Sequence, residues 1–323
     1  MKYYRLETTN PYYNLAVEEY LLDTEEKDVI MLWQNEPSVV VGINQNIIAE
    51  VDTVALSQRS IHPVRRITGG GAVYHDGGNI NYTFISKSRG GIDFAAFSKP
   101  IIDALASLGI PLSLSGRNDL CLADGRKVSG VAECRRGNRV LHHGTLLYNT
   151  DLSVLGEVLT PSPEKLASKA IKSTPARVAN LKPLLPDIKS AEELILKIED
   201  YIISNLGAIK TDIPKNEKID TLTLRNSSAE WLYPSRGISS SLVAKKSKRY
   251  PFGSVNAELS IKGNKIDEIK INGDFFGERS IGELEAKLCG KAFSEIPELL
   301  SKEDVSEFIH GMTTNELIAF LIE

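Results

Sequence analysis

Residues 65–76 read RRITGGGAVYHD, a stretch in which two arginines precede three adjacent glycines. Glycine lacks a Cβ, so a ligand can approach the backbone and N–H groups can point into a concavity. A bare triple glycine is also typical of a mobile surface turn. Arg65 and Arg66 favour the first interpretation, because a guanidinium beside exposed amides suits a phosphate or carboxylate. In a strand their side chains point to opposite faces, so we expect one to lie beside the glycine loop and the other to be solvated.

The composition is that of an ordinary globular protein. The chain has 323 residues, 42% hydrophobic and 25% charged, and is long enough for two cores. A formal net charge of -4 argues against a nucleic-acid partner. No run of about 18 apolar residues occurs, so no transmembrane helix and no membrane partner are expected. The N-terminus lacks a signal-peptide core, and Cys121, Cys134 and Cys289 have no zinc-site spacing. These features predict a cytoplasmic location.

Helix and strand patterns lead up to the glycines. NLAVEEYLLDTEEK (14–27) has apolar residues at helical spacing, and its first residue is the expected N-cap. VIMLW (29–33) and SVVVG (38–42) are rich in strand-forming residues and flank a turn. A helix over 52–59 should stop before Pro63, after which VRRI is read as a strand. The glycines are therefore expected to follow a strand directly.

Further strands and one long helix follow the glycines. AVYH and NYTFI are strand candidates, and an amphipathic helix is expected from Phe94 to Leu108. Several short strands lie between 112 and 148, where Asp124-Gly125 is a strong hairpin signal. This mixed order of elements favours an α+β fold with a mixed or antiparallel sheet over an alternating parallel one.

The C-terminal third changes in character. Residues 149–192 are rich in Pro, Ser and Lys, which predicts long loops with short helices, followed by a helix over about 190–205. The basic stretch Lys245–Arg249 precedes a strand pattern in which KGNK predicts a hairpin turn. Helices are expected near 280–290, 303–309 and 314–321. We predict two domains, residues 1–245 and residues 246–323.

A second cluster, GRNDLCLADGRKVSGVA (116–132), holds several polar residues with binding chemistry. A strand lysine is usually solvated, but Lys127 could also offer a fixed positive charge to a phosphate. Asn118 and Asp119 could hold Mg²⁺ or a ribose. A simple two-residue turn leaves Asp119 on the face opposite Lys127, so the two can meet only from the loop or through a bulge.

The histidines predict structure more than metal binding. His142 and His143 are adjacent in a strand, so one ring should point in and one out, which makes a two-histidine metal site improbable. His75 is better placed, beside the glycines, but no Ser or Cys accompanies it in a triad pattern. The sequence also contains neither a GxxxxGK[ST] P-loop nor a complete GxGxxG motif.

Three segments together resemble the lipoate-protein ligase A family in order and spacing. They are RRITGGGAVYHDGGNINYTF (65–84), GRNDLCLADGRKVSG (116–130) and HHGTLLYNTDLSVL (142–155). The resemblance extends to the opening helix, VVVGINQN (39–46) and RVANL (177–181), and so covers most of the chain. It implies the α+β catalytic domain of the biotin/lipoate ligase type, with a small α+β C-terminal accessory domain.

The resemblance also implies a reaction and its residues. Such enzymes use ATP and Mg²⁺ to activate lipoate, or octanoate, as acyl-AMP and pass the acyl group to a lysine of a lipoyl domain. Lys127 is the implied catalytic residue, and Asp119 is the candidate Mg²⁺ ligand. The implied substrate and ATP-binding residues are Arg66, Gly69, Gly70, Gly71, Ala72, Val73, Tyr74, His75, Asn79, Asn81, Asn118, Lys127 and Gly130.

Two rival functions and the choice of partner stay open at this point. A transferase of the same fold would pass an acyl group through a cysteine thioester without ATP, but residues 156–163 contain no cysteine. A non-catalytic module for acyl-carrier domains would keep the pocket and have no need of Lys127. The expected acceptors are lipoyl domains of 2-oxoacid dehydrogenase E2 subunits or the glycine-cleavage H protein. Lys245–Arg249 is interpreted as a solvated linker or as a contact for an acidic partner.

Overall fold

An eight-stranded mixed sheet forms the centre of the N-terminal part of the chain. The computed structural model describes residues 1–88, 90, 92–116, 118–159, 178–234, 238 and 243–322. In spatial order the strands are β11 (Ile209–Lys210), β1 (Lys2–Arg5), β2 (Val29–Trp33), β6 (Asn79–Lys87), β10 (Arg139–Leu147), β9 (Lys127–Arg136), β8 (Asp119–Cys121) and β7 (Ser113–Ser115). β1 is parallel to both of its neighbours, and the other pairs are antiparallel. The predicted α+β class with a mixed sheet is confirmed.

A smaller sheet of three strands carries the segment that contains the arginines and glycines. Its spatial order is β4 (His62–Arg65), β3 (Ser38–Val41) and β5 (Ala72–His75). β3 pairs in parallel with β4 and antiparallel with β5. The predicted strands on both sides of the glycines are confirmed. Because β5 begins at Ala72, the glycine loop ends at Gly71, and Ala72 to Tyr74 lie in a strand.

Helices cover both faces of the large sheet. On one face, α4 (Phe94–Ser107) and α6 (Ala191–Leu206) share a hydrophobic core with the sheet. On the other face, α1 (Pro11–Thr24) and α7 (Glu217–Ser227) do the same. The other helical segments in this part are α2 (Ile47–Glu50), α3 (Thr53–Gln58), α5 (Leu152–Val158), α8 (Ala229–Leu232) and the 3₁₀ turn Lys182–Leu184. Central strands are buried on both sides, which explains continuous apolar runs such as VIMLW.

The first helix begins earlier than the sequence predicted. Asn10, not Asn14, is the N-cap, and its side chain accepts hydrogen bonds from the backbone N–H groups of Tyr12 and Tyr13. Pro11 occupies the first helical turn, where its missing N–H has no cost. Asn14 is instead buried, and its amide donates to Gln34 O and Asn35 Oδ1. The Asn-Pro pair was the stronger start signal.

Most other predicted helices are confirmed within about two residues. α3 has Asp52 as its N-cap. α6 begins after Ser190 and ends at Gly207, which adopts a left-handed conformation with φ of 63°. α4 ends before Gly109, whose φ is 83°. In the Pro-, Ser- and Lys-rich stretch, α5 and a 3₁₀ turn are present, and residues 160–177 lie outside the described part of the chain.

The C-terminal residues build a second core of their own. The antiparallel strands β12 (Val243–Tyr250), β13 (Gly253–Lys262) and β14 (Lys265–Gly273) pack against helices. The helical elements are α9 (Ile281–Leu288), the 3₁₀ turn Phe293–Glu295, α10 (Ile296–Leu300), α11 (Val305–Phe308) and α12 (Thr314–Ile322). Gly263 and Asn264 both have positive φ, of 57° and 63°, which confirms the predicted KGNK hairpin. The sequence did not predict α10.

The basic stretch Lys245–Arg249 is not a linker, because it forms most of strand β12. Lys245 pairs with Glu258 at 3.0 Å, and Arg249 pairs with Asp274 at 2.9 Å. The stretch alternates between sheet faces, and these two charges have partners in β13 and directly after β14. The division at residues 245 and 246 stays a prediction, and β12 begins three residues before it.

The two cores meet at the glycine loop. Gly70 N donates to Phe275 O at 3.3 Å, and Gly273 N donates to Asn44 O at 3.0 Å. Phe276 is only 1% exposed and belongs to the core of the large sheet, where its ring centroid lies 5.3 Å from that of Phe94. The corner that follows β14 is therefore anchored in the N-terminal core.

In the described residues, no helix is both long and apolar enough to cross a bilayer.

Candidate active site

A cavity of about 280 Å³ lies between the large sheet, the smaller sheet and α1. One end is buried and apolar, and the other is more exposed and charged. The apolar lining residues are Leu15, Trp33, Val40, Ala72, Val73, Val131 and Ala132. The polar and glycine lining residues are Arg66, Gly71, His75, Asn81, Asn118, Asp119, Lys127, Gly130, His143, Gly144, Thr145 and Asp274. Such a cavity suits a ligand with an apolar tail and an anionic head.

A bulge brings Lys127 beside Asp119 at the exposed end. The pairing of β8 with β9 shifts register between Leu120 and Cys121, so Asp119 faces Gly130 while Cys121 faces Lys127. Lys127 Nζ then lies 2.6 Å from Asp119 Oδ1, and the two side chains are 31% and 39% exposed. The sequence allowed this meeting only from the loop or through a bulge, and the bulge is confirmed.

The backbone around Lys127 is tied on two sides. Ala179 N donates to Lys127 O at 2.8 Å, so the middle of the RVANL segment packs along the start of β9; Arg177 lies outside the described residues. Asn118 Nδ2 donates to Val131 O at 2.6 Å. A Cβ at Gly130 would lie 2.9 Å from Lys127 Nζ, so glycine there leaves room for the lysine to lie across the strand. These contacts fix where the ammonium group sits.

The three adjacent glycines are under different structural constraints. A Cβ at Gly69 would clash with Phe275 O, and one at Gly70 would lie 2.9 Å from Arg66 Nη2. Gly70 also has a φ of 93°, which L side chains rarely adopt. Gly71 lines the cavity, and a Cβ there would meet no atom within 4 Å among the described residues. The fold thus requires the first two glycines, while the third leaves space in the cavity.

Arg66 holds the glycine loop from behind. Its guanidinium donates to Val40 O at 3.0 Å, Gly69 O at 2.7 Å and Gly71 O at 2.9 Å. Burial lowers the pKa of Arg66 to about 10, an effect that nearby Glu18 opposes, so the group stays charged at neutral pH. It lines the cavity with most of its N–H groups already engaged.

Arg65 is not solvated, which corrects the sequence prediction. It is 2% exposed and donates to the carbonyl oxygens of Gly42, Gln45, Trp231 and Leu232, at 2.8 to 3.0 Å. The two arginines do point to different sides of the strand. Both faces of this strand are covered by other parts of the protein, however, so neither side chain is solvated. Arg65 is a structural tie between this sheet and α8.

His75 and Asn81 present buried hydrogen-bond donors to the cavity. Asn35 Nδ2 lies 3.1 Å from His75 Nδ1, and Asn35 Oδ1 already accepts from Asn14, so the imidazole hydrogen is assigned to Nε2. Burial, with the nearby charge of Arg66, lowers the pKa of His75 to about 3. Asn79 donates to Asn81 Oδ1 at 3.0 Å. In the described part of the chain, His75 Nε2 and Asn81 Nδ2 have no partner.

The tandem histidines lie on opposite faces, as predicted, but neither points to solvent. His142 is fully buried beside Glu133, with Nδ1 3.3 Å from Oε2. His143 is 8% exposed and lies beside Glu18, with Nδ1 2.9 Å from Oε1. The prediction of one ring outside was wrong because helices cover both faces of the sheet. Only His143 faces the cavity.

The structure brings most of the expected site residues to one place. Gly69, Gly70, Tyr74 and Asn79 are the exceptions, since they support the cavity wall without lining it. The sequence did not single out Trp33, Val40, Thr145 and Asp274 as cavity residues, and it favoured a structural role for the candidate His143. Period-two alternation on β6 and β10 places Asn81 and Thr145 opposite each other and could have added His143. Asp274 depends on long-range docking, for which no local pattern exists.

The charged end offers limited protein ligation for a metal ion. Among the described residues, no group of three His, Cys, Asp or Glu side chains could hold a metal. Asp119 is paired with Lys127, and Asp274 accepts from Arg249 and from Ser254 N. One or two carboxylates fit a Mg²⁺ ion that takes its other oxygen ligands from substrate phosphates and water.

Both parts of the chain match one family of known proteins. Residues 10–203 match the lipoyl protein ligase A/B catalytic domain, and residues 241–321 match the bacterial lipoate protein ligase C-terminus. The chain is 36% identical over 322 residues to lipoate-protein ligase LplJ of Bacillus subtilis, covering 96% of each chain. It is also 36% identical over 329 residues to lipoate-protein ligase 1 of Staphylococcus aureus, covering 97% of each.

Solved structures of other proteins share the fold. Plasmodium falciparum LipL1 in complex with lipoate has a TM-score of 0.84 at 23% identity, covering 99% of both chains. A lipoate-protein ligase A bound with ATP has a TM-score of 0.61 at 26% identity, over 72% of this chain and 98% of that one. A bi-partite ligase of Thermoplasma acidophilum, described with its E2 lipoyl domain, has a TM-score of 0.62 at 28% identity, over 74% and 98%. The chain therefore belongs to the lipoate-protein ligase family.

Proposed function

We propose that the chain is an ATP-dependent ligase that attaches lipoate to protein in two half-reactions. In the first, a lipoate carboxylate oxygen attacks the α-phosphorus of ATP, and pyrophosphate leaves. In the second, the amine of an acceptor lysine attacks the acyl carbon, an amide bond forms, and AMP leaves with release of one proton. Family membership supports this reaction class.

The observation that carries the proposal is the division of one cavity into an apolar end and a charged end that contains Lys127. Leu15, Trp33 and Val40 are at most 5% exposed and would surround an acyl chain. Lys127 stands at the exposed end, where an acyl carboxylate and an α-phosphate would meet. The cavity thus supports a reaction that joins these two groups.

Lys127 is the proposed catalytic residue. Its ammonium group would neutralise the charge that develops on the α-phosphate and the acyl oxygen in both half-reactions. A single donor of this kind is typically worth about 3 to 4 kcal/mol in a transition state. Ala179 holds the backbone of Lys127, and Gly130 leaves room for the lysine side chain, so little reorganisation is needed when substrate binds. The rest of the rate would come from positioning the two reactants.

We further propose that the glycine loop and the buried donors hold the anionic groups. The space at Gly71 would let a phosphate or acyl oxygen approach the backbone. His75 Nε2 and Asn81 Nδ2 would donate to substrate oxygens, since buried donors without partners are costly when no ligand is bound. Asn118 would shape the wall near the nucleotide, and Asn79 would orient Asn81.

Asp119 is the proposed protein ligand for magnesium. When bound, the ion would neutralise phosphate charge. Asp119 now accepts from Lys127, and an ion on this carboxylate would free the lysine for substrate. The absence of a three-residue metal cluster in the described parts of the chain is compatible with an ion held mainly by the nucleotide.

The acceptor is proposed to be a lipoyl domain of an E2 subunit or an H protein. The Thermoplasma acidophilum relative described with its E2 lipoyl domain supports this choice. Octanoate is proposed as a second acyl substrate, because the apolar lining has little polar chemistry that would distinguish it from lipoate. A cytoplasmic location is proposed on the basis of three cysteines, none of which forms a disulfide.

A cysteine-dependent transferase has less support. Cys121 and Cys134 are the only cysteines near the sheet that carries the site, and burial raises the pKa of both thiols. A raised pKa disfavours the thiolate that such a mechanism needs. None of the described residues that line the cavity is a cysteine.

One acylation experiment distinguishes the ligase from this rival. The ligase, an apo lipoyl domain, lipoate and ATP are mixed, and intact mass spectrometry follows the domain. We expect lipoylation only with ATP, with one AMP formed for each lipoyl group transferred. Cys121→Ser and Cys134→Ser should show no loss of activity. Transfer from an acyl thioester without ATP, abolished by either serine variant, would contradict the proposal.

A further inference from the structure

A buried chain of hydrogen bonds runs from Arg66 to a carboxylate behind the cavity wall. Arg66 Nε lies 2.9 Å from Thr68 Oγ1, and Thr68 Oγ1 lies 2.9 Å from His143 Nε2. His143 Nδ1 lies 2.9 Å from Glu18 Oε1. All four side chains are at most 8% exposed. The chain joins a helix residue, a sheet residue and the loop that holds the glycines.

The direction of each hydrogen bond in this chain is fixed by chemistry. A guanidinium only donates, so Thr68 Oγ1 accepts from Arg66. The threonine hydrogen is assigned to an unprotonated His143 Nε2, because no other acceptor of this hydrogen is present among the described residues. The imidazole hydrogen is on Nδ1 and is donated to Glu18. His143 is thereby assigned the tautomer opposite to that of His75.

A second arm reaches the same carboxylate oxygen from the apolar end of the cavity. Trp33 Nε1 donates to Thr83 Oγ1 at 3.0 Å, and Thr83 donates to Glu18 Oε1 at 2.7 Å. Trp33 and His143 line the cavity, whereas Arg66 holds the carbonyl oxygens of the glycine loop. Glu18 is the common acceptor of both arms. One polar network therefore connects the tail-binding end with the loop proposed to hold the acyl phosphate.

The same geometry could be taken for a Thr-His-Glu nucleophile. Three observations speak against that role. Thr68 is fully buried, it does not line the cavity, and its oxygen already accepts from a guanidinium. A nucleophile has to reach a substrate carbon with a free lone pair. The threonine hydroxyl is a connection between two side chains.

We propose that Thr68, His143 and Glu18 are positioning residues for adenylate formation. They hold Arg66, and through it the carbonyl oxygens of Gly69 and Gly71, in one arrangement relative to the acyl tail. The inference rests on the proposed adenylation, and it assigns the chain a role in the rate of that step. Acyl-tail binding itself depends on the apolar lining, and Thr68 does not line the cavity.

Thr68→Val is the decisive variant because valine has the shape of threonine without the hydroxyl. We expect its kcat for lipoate-dependent pyrophosphate exchange to fall about tenfold or more, with the KM for lipoate within about twofold. Thr68→Ser keeps the hydroxyl and should restore kcat to within about threefold of the native rate. An unchanged kcat in Thr68→Val, a change confined to KM, or a failure of serine to restore the rate would each overturn the proposal.

The opposite face of the sheet supplies a matched control. There Ser98 Oγ lies 3.4 Å from His142 Nε2, and His142 Nδ1 lies 3.3 Å from Glu133. Ser98→Ala deletes an equally buried hydroxyl–histidine contact that does not reach the cavity, and its kcat should stay within about twofold. A tenfold loss in this control would mean that any such deletion slows the enzyme, which would overturn the specific role of Thr68.

Nitrogen NMR tests the chain in the unaltered enzyme, so the proposal does not depend on a variant that folds. We expect the ¹⁵N shifts of His143 to show a protonated Nδ1 and an unprotonated Nε2 at neutral pH. The reverse tautomer would overturn the proposal. Native enzyme without any pyrophosphate exchange would instead refute the proposed ligase function, a different outcome from normal exchange in Thr68→Val.

Discussion

At the scale of single residues, His75 shows how burial changes chemistry beside the glycines. Its folded pKa of about 3 lies below the ordinary value of 6.5, so the unfolded chain binds a proton that the folded chain does not. Stability from this group is present above pH 6.5 and is lost as pH falls toward 3. His75→Gln keeps a donor near Nε2 and cannot titrate in this range.

We therefore predict a difference in the pH dependence of unfolding. Below pH 6.5 the native protein should lose about 1.4 kcal/mol per pH unit more than His75→Gln. Urea denaturation at several pH values between 7 and 5 measures this difference. His75→Asn, which lacks a donor at the Nε2 position, should adenylate more slowly than His75→Gln. Parallel pH profiles for the native protein and His75→Gln would show that the imidazole is not buried in its neutral form.

Asp119 carries a second prediction at this scale. Asp119→Asn should raise the Mg²⁺ concentration for half-maximal pyrophosphate exchange by about tenfold, because one charged ligand is lost. Asp124→Asn is the matched control, since Asp124 is exposed and, in the described part of the chain, pairs only with Arg126 in the hairpin turn. Its Mg²⁺ dependence should match that of the native enzyme. Equal curves for Asp119→Asn and the native protein would exclude Asp119 as a ligand.

At the scale of elements, the glycine loop separates what the fold needs from what a ligand needs. Gly70→Ala places a side chain at a φ of 93° against Arg66, so it should lower the free energy of unfolding by about 1 kcal/mol or more. Gly71→Ala has space and should leave stability unchanged while raising the KM for ATP. Thermal unfolding and exchange kinetics measure the two effects. Native kinetics in Gly71→Ala would mean that no ligand uses this space.

Local patterns predicted most of these elements because their signals are local. Glycines, prolines and period-two alternation marked β5, β6 and the hairpins, and the bulge was foreseen as one of two ways to join Asp119 to Lys127. Arg65, His142 and His143 were misjudged because burial depends on which helices cover a sheet. The predicted start of α1 was wrong because Asn10 and Pro11, and not Asn14, begin the helix. The resemblance supplied the function, which the bare residues left open.

At the scale of the whole molecule, the second core contributes to the wall of the glycine loop. No sequence pattern predicted that Phe276 would insert beside Phe94 or that Phe275 O would accept from Gly70. Such contacts join residues about 200 positions apart and depend on how two finished cores fit. The accessory part is therefore expected to influence adenylation through contact with the loop.

Phe276→Ala tests that influence. Removing the buried ring should lower the free energy of unfolding by about 3 to 5 kcal/mol. It should also slow lipoate-dependent pyrophosphate exchange per folded molecule. Phe320→Ala truncates a ring of the C-terminal core that does not touch the loop. It should lower the free energy of unfolding and leave the exchange rate of the folded enzyme unchanged. Urea denaturation and active-site titration separate the two effects. Equal exchange rates per folded molecule in both variants would contradict a role for the docked corner.

The account depends most directly on lipoate-dependent exchange of labelled pyrophosphate into ATP. Native enzyme should catalyse this exchange, and Lys127→Met should reduce it about a hundredfold or more, since methionine keeps the length of the side chain and loses its charge. Circular dichroism confirms that the variant is folded. Native exchange in Lys127→Met, or its absence from the native enzyme with ATP, Mg²⁺ and lipoate present, would contradict the central claim.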